Sequence, residues 1–203
     1  TGIVSVPAQT PAGTYTIEYQ ICELLNPANC DTAIVTVVAE AAVILANDDD
    51  FSGTPVSGGN DTPNILINDT LNGNGPVVIG TNPGEVTLTG ITVPPGLTLN
   101  PDGTITVGIT TPSGTYTIEY QICEVLNPTN CDQAIVTIVV SNEIIANNDA
   151  PQVVEINVAG PVFAGSVITN DTLNGVAVTT TNTDVTPTTQ GPLSIDVDGN
   201  VTI

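Results

Sequence analysis

Gly13-Thr-Tyr-Thr-Ile-Glu-Tyr-Gln-Ile-Cys22 is followed by Glu-Leu-Leu-Asn-Pro-Ala-Asn and then by Cys30-Asp-Thr-Ala-Ile-Val-Thr-Val-Val38, and the whole stretch occurs again from Gly114 to Val139, displaced by 101 residues. Tyr15, Ile17, Tyr19 and Ile21 alternate with Thr16, Glu18, Gln20 and Cys22. That is the period of two expected of a half-buried strand. In the second arm Ala33, Val35 and Val37 form the inward set, which leaves Cys30, Thr32 and Thr36 on the other face. Each copy therefore reads as a β-hairpin with a cysteine at each end of its loop. Both cysteines fall on the outer side of the sheet, within disulfide reach of each other. The pattern predicts bonds Cys22–Cys30 and Cys123–Cys131, the alternative being reduced thiols packed as small apolar groups.

Working outward, the repetition extends over nearly the whole chain. Gly2-Ile-Val-Ser-Val6 matches Gly103-Thr-Ile-Thr-Val107 and Gly199-Asn-Val-Thr-Ile203. Ala46-Asn-Asp-Asp-Asp50 matches Ala146-Asn-Asn-Asp-Ala150. Asn68-Asp-Thr-Leu-Asn-Gly73 returns as Asn170-Asp-Thr-Leu-Asn-Gly175. This divides the chain into the C-terminal half of one repeat (1–45), a complete repeat (46–145) and the N-terminal half of a third (146–203).

Inside the complete repeat, Asn47-Asp-Asp-Asp50 leads into an irregular first strand. Asn64–Ile67, Pro76–Ile79, Val86–Thr89, Leu97–Leu99 and Thr104–Val107 are read as further short strands, the last two flanking the turn signal Asn100-Pro-Asp-Gly103. About seven strands per 100 residues without helical periodicity predict an all-β chain of tandem antiparallel β-sandwiches, immunoglobulin-like or cadherin-like in architecture. The Tyr near the start of each cysteine hairpin has the spacing of a tyrosine corner. Antibody domains' inter-sheet disulfide and core Trp are missing.

The 203 residues contain no Lys, Arg, His, Met or Trp, and the net charge is −21. Without a cation the chain cannot neutralise phosphates, so nucleic acid and anionic membrane surfaces are excluded as partners. Strand periodicity argues against acidic disorder. Two local cysteine pairs point to an oxidising, extracellular compartment, and their spacing is too wide for a zinc knuckle. Without Met, Thr1 is not a translational start, so a segment or processed product is expected. No stretch reads as a signal peptide or as a membrane span.

The chemistry available is narrow. Only carboxylates could serve an enzyme, and a glycosidase pair is the one conventional arrangement. Asp and Glu here sit in turns and linkers or singly on strands, as at Glu18, Glu119 and Glu155, so no enzyme is expected. A carbohydrate-binding module is the alternative reading, but Tyr15, Tyr19, Tyr116 and Tyr120 fall on the inward face. The favoured reading is a structural stalk of repeats touching end to end.

The cysteine hairpins, with Ala-Asn-Asp-Asp and Asn-Asp-Thr-Leu-Asn-Gly, resemble the giant repetitive cell-surface adhesins of Bacteroidota, of the SprB gliding-motility type. The resemblance implies type IX secretion, attachment to the bacterial outer surface and a long filament moved by the motility or anchoring machinery. Contacts with an external surface or glycan would be made by other segments. Asp31-Thr-Ala33, Asp69-Thr-Leu71 and Asp171-Thr-Leu173 resemble the O-glycosylation motif of that phylum, with Thr32, Thr70 and Thr172 as acceptors. Asp132-Gln-Ala134 departs from it at Gln133.

Asp48, Asp49, Asp50 and Asp149 lie at the repeat boundaries, and Asp69 and Asp171 lie in the loops about twenty residues later. If each loop returns to the boundary, these carboxylates are candidate ligands for Ca²⁺, which accepts six to eight oxygens in flexible geometry. The competing reading is that Asp and Asn make turns and cap the linker.

Overall fold

The computed structural model describes residues 2–155, 160–188 and 191–203. The described residues are all-β. The first half repeat is a single hairpin of β1 (Gly13–Cys22) and β2 (Cys30–Ala39), antiparallel, with Cys22 opposite Cys30.

The complete repeat and the residues just before it contain β3 (Ile44–Leu45), β4 (Asp49–Asp50), β5 (Thr70–Leu71), β6 (Val86–Thr92), β7 (Leu97–Leu99), β8 (Ile105–Val107), β9 (Gly114–Glu124) and β10 (Cys131–Val140). One layer is a sheet of order β4-β10-β9-β6, parallel only between β4 and β10. The opposing layer is the β7–β8 hairpin, extended by residues 59–65, whose backbone bonds run along β8: Gly59 N to Val107 O, Thr62 N to Ile105 O and Ile65 N to Gly103 O. Between the layers Ile65, Leu97, Ile105 and Val107 meet Ile118, Tyr120, Ile122, Val136 and Ile138 in one core.

The third unit repeats the plan with β11 (Ile144–Ile145), β12 (Phe163–Ser166), β13 (Thr172–Leu173), β14 (Val176–Ala177), β15 (Ser194–Ile195) and β16 (Asn200–Thr202). β16 lies between β12 and β15, and β13 between β11 and β14.

The alternation predicted for the cysteine hairpins holds in the complete repeat. Ile118, Tyr120 and Ile122 on β9, and Ala134, Val136 and Ile138 on β10, are buried, while Cys123 and Cys131 face outward. The tyrosine corner also forms: Tyr116 donates its hydroxyl to Pro112 O at 2.8 Å, and Tyr15 to Pro11 O at 2.8 Å.

Two strand predictions are corrected. Residues 65–68 form a turn. Asn64 Oδ1 accepts Leu66 N at 2.8 Å, and Asp69 N returns to Leu66 O. Ile65 and Leu66 are consecutive and both buried, which a flat strand with alternating faces cannot provide. Residues 76–79 supply only one bridge, Ile79 to Val86. The first hairpin departs in another way. Its inward set lies uncovered in this chain, with Ile17 49 % exposed where Ile118 is 0 %.

Candidate functional site: the joints between repeats

Asn-Gly at the tip of the Asn-Asp-Thr-Leu-Asn-Gly loop takes a left-handed backbone twice. Asn72 and Gly73 have φ of 53° and 72°, and Asn174 and Gly175 have 53° and 77°. This is the two-residue hairpin turn that Asn-Gly favours, and it aims each Asn at the strand that precedes its repeat. Asn72 N donates to Val43 O at 2.7 Å, and Asn72 Oδ1 accepts Val43 N at 2.9 Å. At the next joint Asn174 N donates to Glu143 O at 2.8 Å, and Asn174 Oδ1 accepts Glu143 N at 2.9 Å. One asparagine thus satisfies both backbone groups of a linker residue, and β3–β5 or β11–β13 pairing continues from that clamp.

The first joint carries a second hold, from the disulfide-closed loop. Asn130 Nδ2 donates to Ala42 O at 2.8 Å and to Glu124 Oε2 at 2.9 Å, and Glu124 Oε2 accepts Ala42 N at 3.3 Å. Asn127 Oδ1 in the same loop accepts Ala12 N at 2.6 Å. Cys123–Cys131 closes this loop, and Cys22–Cys30 closes its counterpart; both are bonded within their own hairpins with a sequence separation of 8.

Beneath the clamps lies an acidic floor. The loop does return to the boundary of its own repeat. Asp69 Oδ1 accepts Asn47 N at 2.8 Å, and Asp171 Oδ1 accepts Asn147 N at 2.7 Å. Asn47 Nδ2 donates to Asn68 O and Asn147 Nδ2 to Asn170 O, both at 2.7 Å. Asp69 is fully buried and also accepts Tyr120 Oη–H at 2.9 Å. Burial, the charge of Asp69 and then that of Asp48 push the Asp49 carboxyl up to about 7. Its Oδ2 is buried without a hydrogen-bond partner, which a protonated carboxyl tolerates better than a carboxylate. Burial also raises Asp69 above the usual carboxylate range, against the bonds from Asn47 and Tyr120 that favour its ionised form. The Tyr120 phenol is raised by the same desolvation and by its carboxylate partner.

The candidate calcium ligands lie near the boundaries. Asp48 Oδ1 accepts Ile135 N at 2.8 Å, and Asp50 Oδ1 accepts Ser52 N at 2.8 Å. Asp69 and Asp171 hold the Asn47 and Asn147 amides, and Asp149 is exposed in the third unit. Among the described residues no three His, Cys, Asp or Glu side chains are gathered as a metal centre needs. Four of the six carboxylates, Asp48, Asp50, Asp69 and Asp171, therefore accept backbone amides of their own repeat, the capping role that competes with a shared ion.

The candidate glycan acceptors differ in access. Thr32 is exposed on β2, whereas Thr70 and Thr172 are half-buried on β5 and β13. The clamp asparagines, Glu124 and Asn130 were not singled out in the sequence reading. The signal for Asn72 and Asn174 was the exact recurrence of Asn-Asp-Thr-Leu-Asn-Gly, which a turn alone does not require.

The class these elements define is a tandem β-sandwich of about 100 residues per unit with bonded joints. The sequence matches no protein-family model and no curated protein. Among solved structures it is similar to protocadherin gamma B7 extracellular cadherin domains 1–4, at 12% identity over 97% of this chain and 49% of that one, with a TM-score of 0.33. It is similar to mouse cadherin-23 EC22–24 at 15% identity over 98% of this chain and 66% of that one, with a TM-score of 0.32. The chain spans about half the length of protocadherin structures such as the first, 49%. The fold assignment rests on the strand pairing and burial described above.

Proposed function

We propose that this chain is a stretch of the stalk of an extracellular adhesin filament, which holds an adhesive element away from the cell. The observation that supports it is the joint. The same asparagine clamp recurs at both boundaries, on Val43 and on Glu143. Two bonds to one linker residue restrict its backbone, which turns a string of sandwiches into a rod.

The outward disulfides suit an oxidising compartment, and a cation-free surface of charge −21 suits a filament whose neighbours must not clump. Attachment to a bacterial outer surface, type IX export and a part in gliding belong to this proposal through the resemblance to SprB-type adhesins. So does the absence of catalysis. Glycan binding by the complete repeat is disfavoured, because Tyr120 is buried in its core and Tyr116 is tied to a tyrosine corner.

Electron microscopy of the purified full-length protein is the test. A thin beaded fibre whose contour length grows with the number of repeats is expected. A compact particle overturns the stalk.

A further inference from the structure

Each disulfide closes the end of a strand ladder. Cys123 and Cys131 are the last pair of β9–β10, and Cys22 and Cys30 the last pair of β1–β2. The residues that follow the first cysteine and precede the second are Glu124 and Asn130 in one loop, Glu23 and Asn29 in the other. In both loops these two meet. Asn130 Nδ2 donates to Glu124 Oε2 at 2.9 Å, and Glu124 N to Asn130 O at 3.0 Å. Asn29 Nδ2 donates to Glu23 Oε2 at 3.0 Å, and Glu23 N to Asn29 O at 2.9 Å. The pair is therefore a property of the closed loop.

At the first joint the pair holds the linker. Glu124 Oε2 accepts Ala42 N at 3.3 Å, and Asn130 Nδ2 donates to Ala42 O at 2.8 Å. Asn127 Oδ1 accepts Ala12 N at 2.6 Å from the same loop. Glu124 is 4 % exposed, so the donors of Asn130 and Ala42 stand in for the water its carboxylate has lost.

The sandwich itself is held elsewhere. The ladder of β9–β10 continues to Gly114 and Val140, with Ile118, Tyr120, Val136 and Ile138 in the core. The disulfide guards only the loop end of that ladder, and an unbraced end opens locally while the packed body stays closed. Both cysteines are half-buried on the outer face of the sheet, open to a small thiol reagent.

We propose that the Cys123–Cys131 loop is a redox-sensitive latch on the joint. Bonded, it presents Glu124 and Asn130 to the backbone of Ala42. Reduced, it lets that linker go while the sandwich stays folded. The reductant is a dithiol. One of its thiolates attacks a cysteine Sγ, its second displaces the other partner by closing on itself, and two electrons and two protons pass to Cys123 and Cys131. The latch builds on the joint of the proposed stalk, but its test reads the joint directly. A compact particle in the microscope would overturn the stalk and leave the latch standing.

Amide hydrogen exchange of the whole 203-residue chain, followed by NMR well below the melting transition, is the test. With excess dithiothreitol, Ala42 is expected to lose about tenfold of its protection, the worth of one hydrogen bond to a charged group. Val43, which Asn72 holds, and Ile118 and Val136 in the core should stay protected. Replacing both Cys123 and Cys131 by Ser should release Ala42 with no reductant present. Replacing both Cys22 and Cys30 by Ser should leave Ala42 as it is, with the response to dithiothreitol intact. In Asn130→Ala the Ala42 amide should exchange fast already, and reduction should add little. Protection of Ala42 that survives the Cys123 and Cys131 replacements overturns the proposal. So does a loss that comes only together with the core amides, or a Cys123–Cys131 bond that dithiothreitol leaves intact in the folded chain.

Discussion

Tyr120 and Asp69 meet in the core, the phenol hydroxyl donating to Asp69 Oδ2 at 2.9 Å, with both side chains 0 % exposed. The tyrosine comes from the cysteine hairpin and the aspartate from the Asn-Asp-Thr loop, 51 residues apart. The bond therefore ties the sheet that carries the hairpin to the loop that carries the clamp. Removing the donor leaves a buried acceptor short of a partner, which costs about 1–3 kcal/mol. Tyr120→Phe is expected to lower the melting temperature of the complete repeat by roughly 5–15 °C. Tyr19→Phe, at the equivalent position of the uncovered hairpin, is expected to leave that transition unchanged. Differential scanning calorimetry of the two variants checks the pair.

The acidic floor makes stability depend on pH in a stated direction. Asp49 rises from the model-compound value of 3.8 to about 7, and Asp69 moves up too. The folded state then holds protons that the unfolded chain releases. The contribution is fully present below about pH 4 and is lost as pH rises through about 7. Self-repulsion among acids, with no cation to offset it, acts the same way. The melting temperature is expected to be higher at pH 5 than at pH 8. Asp49→Asn should raise it at pH 8 and flatten the profile. A profile that rises between pH 5 and 8 contradicts the assignment.

The two disulfides are expected to differ in worth although their sequences are nearly the same. Each closes a loop of separation 8, which in the chain-entropy model stabilises by roughly 2–3 kcal/mol. Cys123–Cys131 braces a hairpin packed in the core and a loop that holds Ala12 and Ala42. Cys22–Cys30 braces a hairpin with no layer over it in this chain. Replacing both Cys123 and Cys131 by Ser should lower the main transition by about 10 °C, and replacing Cys22 and Cys30 should not move it. Thiol titration of the native wild-type protein should find no free thiol.

Much of this was readable from the residues. The alternation of Tyr, Ile, Tyr and Ile against Thr, Glu and Gln fixes which face of β9 is buried, because a strand has a period of two. The cysteine register follows from the same count. The turn at 65–68 was misread because an apolar run of that length cannot be told from a strand by composition; Asn64, which bonds Leu66 N, was the local clue. The joint was less legible. A linker's partners are set by tertiary return of a loop, and only the repetition of Asn72 and Asn174 pointed at it. The fate of the boundary aspartates was likewise hidden, since a carboxylate that caps an amide and one that binds an ion look alike in sequence.

If glycans are added at the Asp-Thr-apolar sites, access orders them. Thr32 is exposed, while Thr70 and Thr172 are half-buried on strands next to the clamps. Glycopeptide mass spectrometry of protein from its native host should find Thr32 as the principal acceptor, with no occupancy at Gln133. Modification confined to Thr70 and Thr172 contradicts this order.

The joints give the last prediction, because they separate two ways of stiffening a filament. In one, carboxylates from successive repeats share a cation, and chelation loosens the chain. In the other, neutral amides bond the linker, and chelation does nothing. The geometry favours the second. Asp69 and Asp171 are occupied by the amides of Asn47 and Asn147, and Asp48 by that of Ile135. Asn72 and Asn174 take both backbone groups of Val43 and Glu143. Melting the chain in millimolar Ca²⁺ and in chelator is therefore expected to give the same temperature, with no heat of binding. Asn72→Ala removes one bond to Val43 and places a Cβ-branched-free but unsupported residue at φ 53°, which costs about 1–2 kcal/mol in bond and backbone together. Small-angle scattering should then show a broader spread of dimensions about the first joint, with Asn174→Ala doing the same at the second. Asn72→Gly keeps the backbone relaxed while losing the side-chain bond, so it isolates the clamp from the strain. If Ca²⁺ raises the melting temperature, or if the alanine variants scatter as the wild type does, the joints are held by something other than these two asparagines.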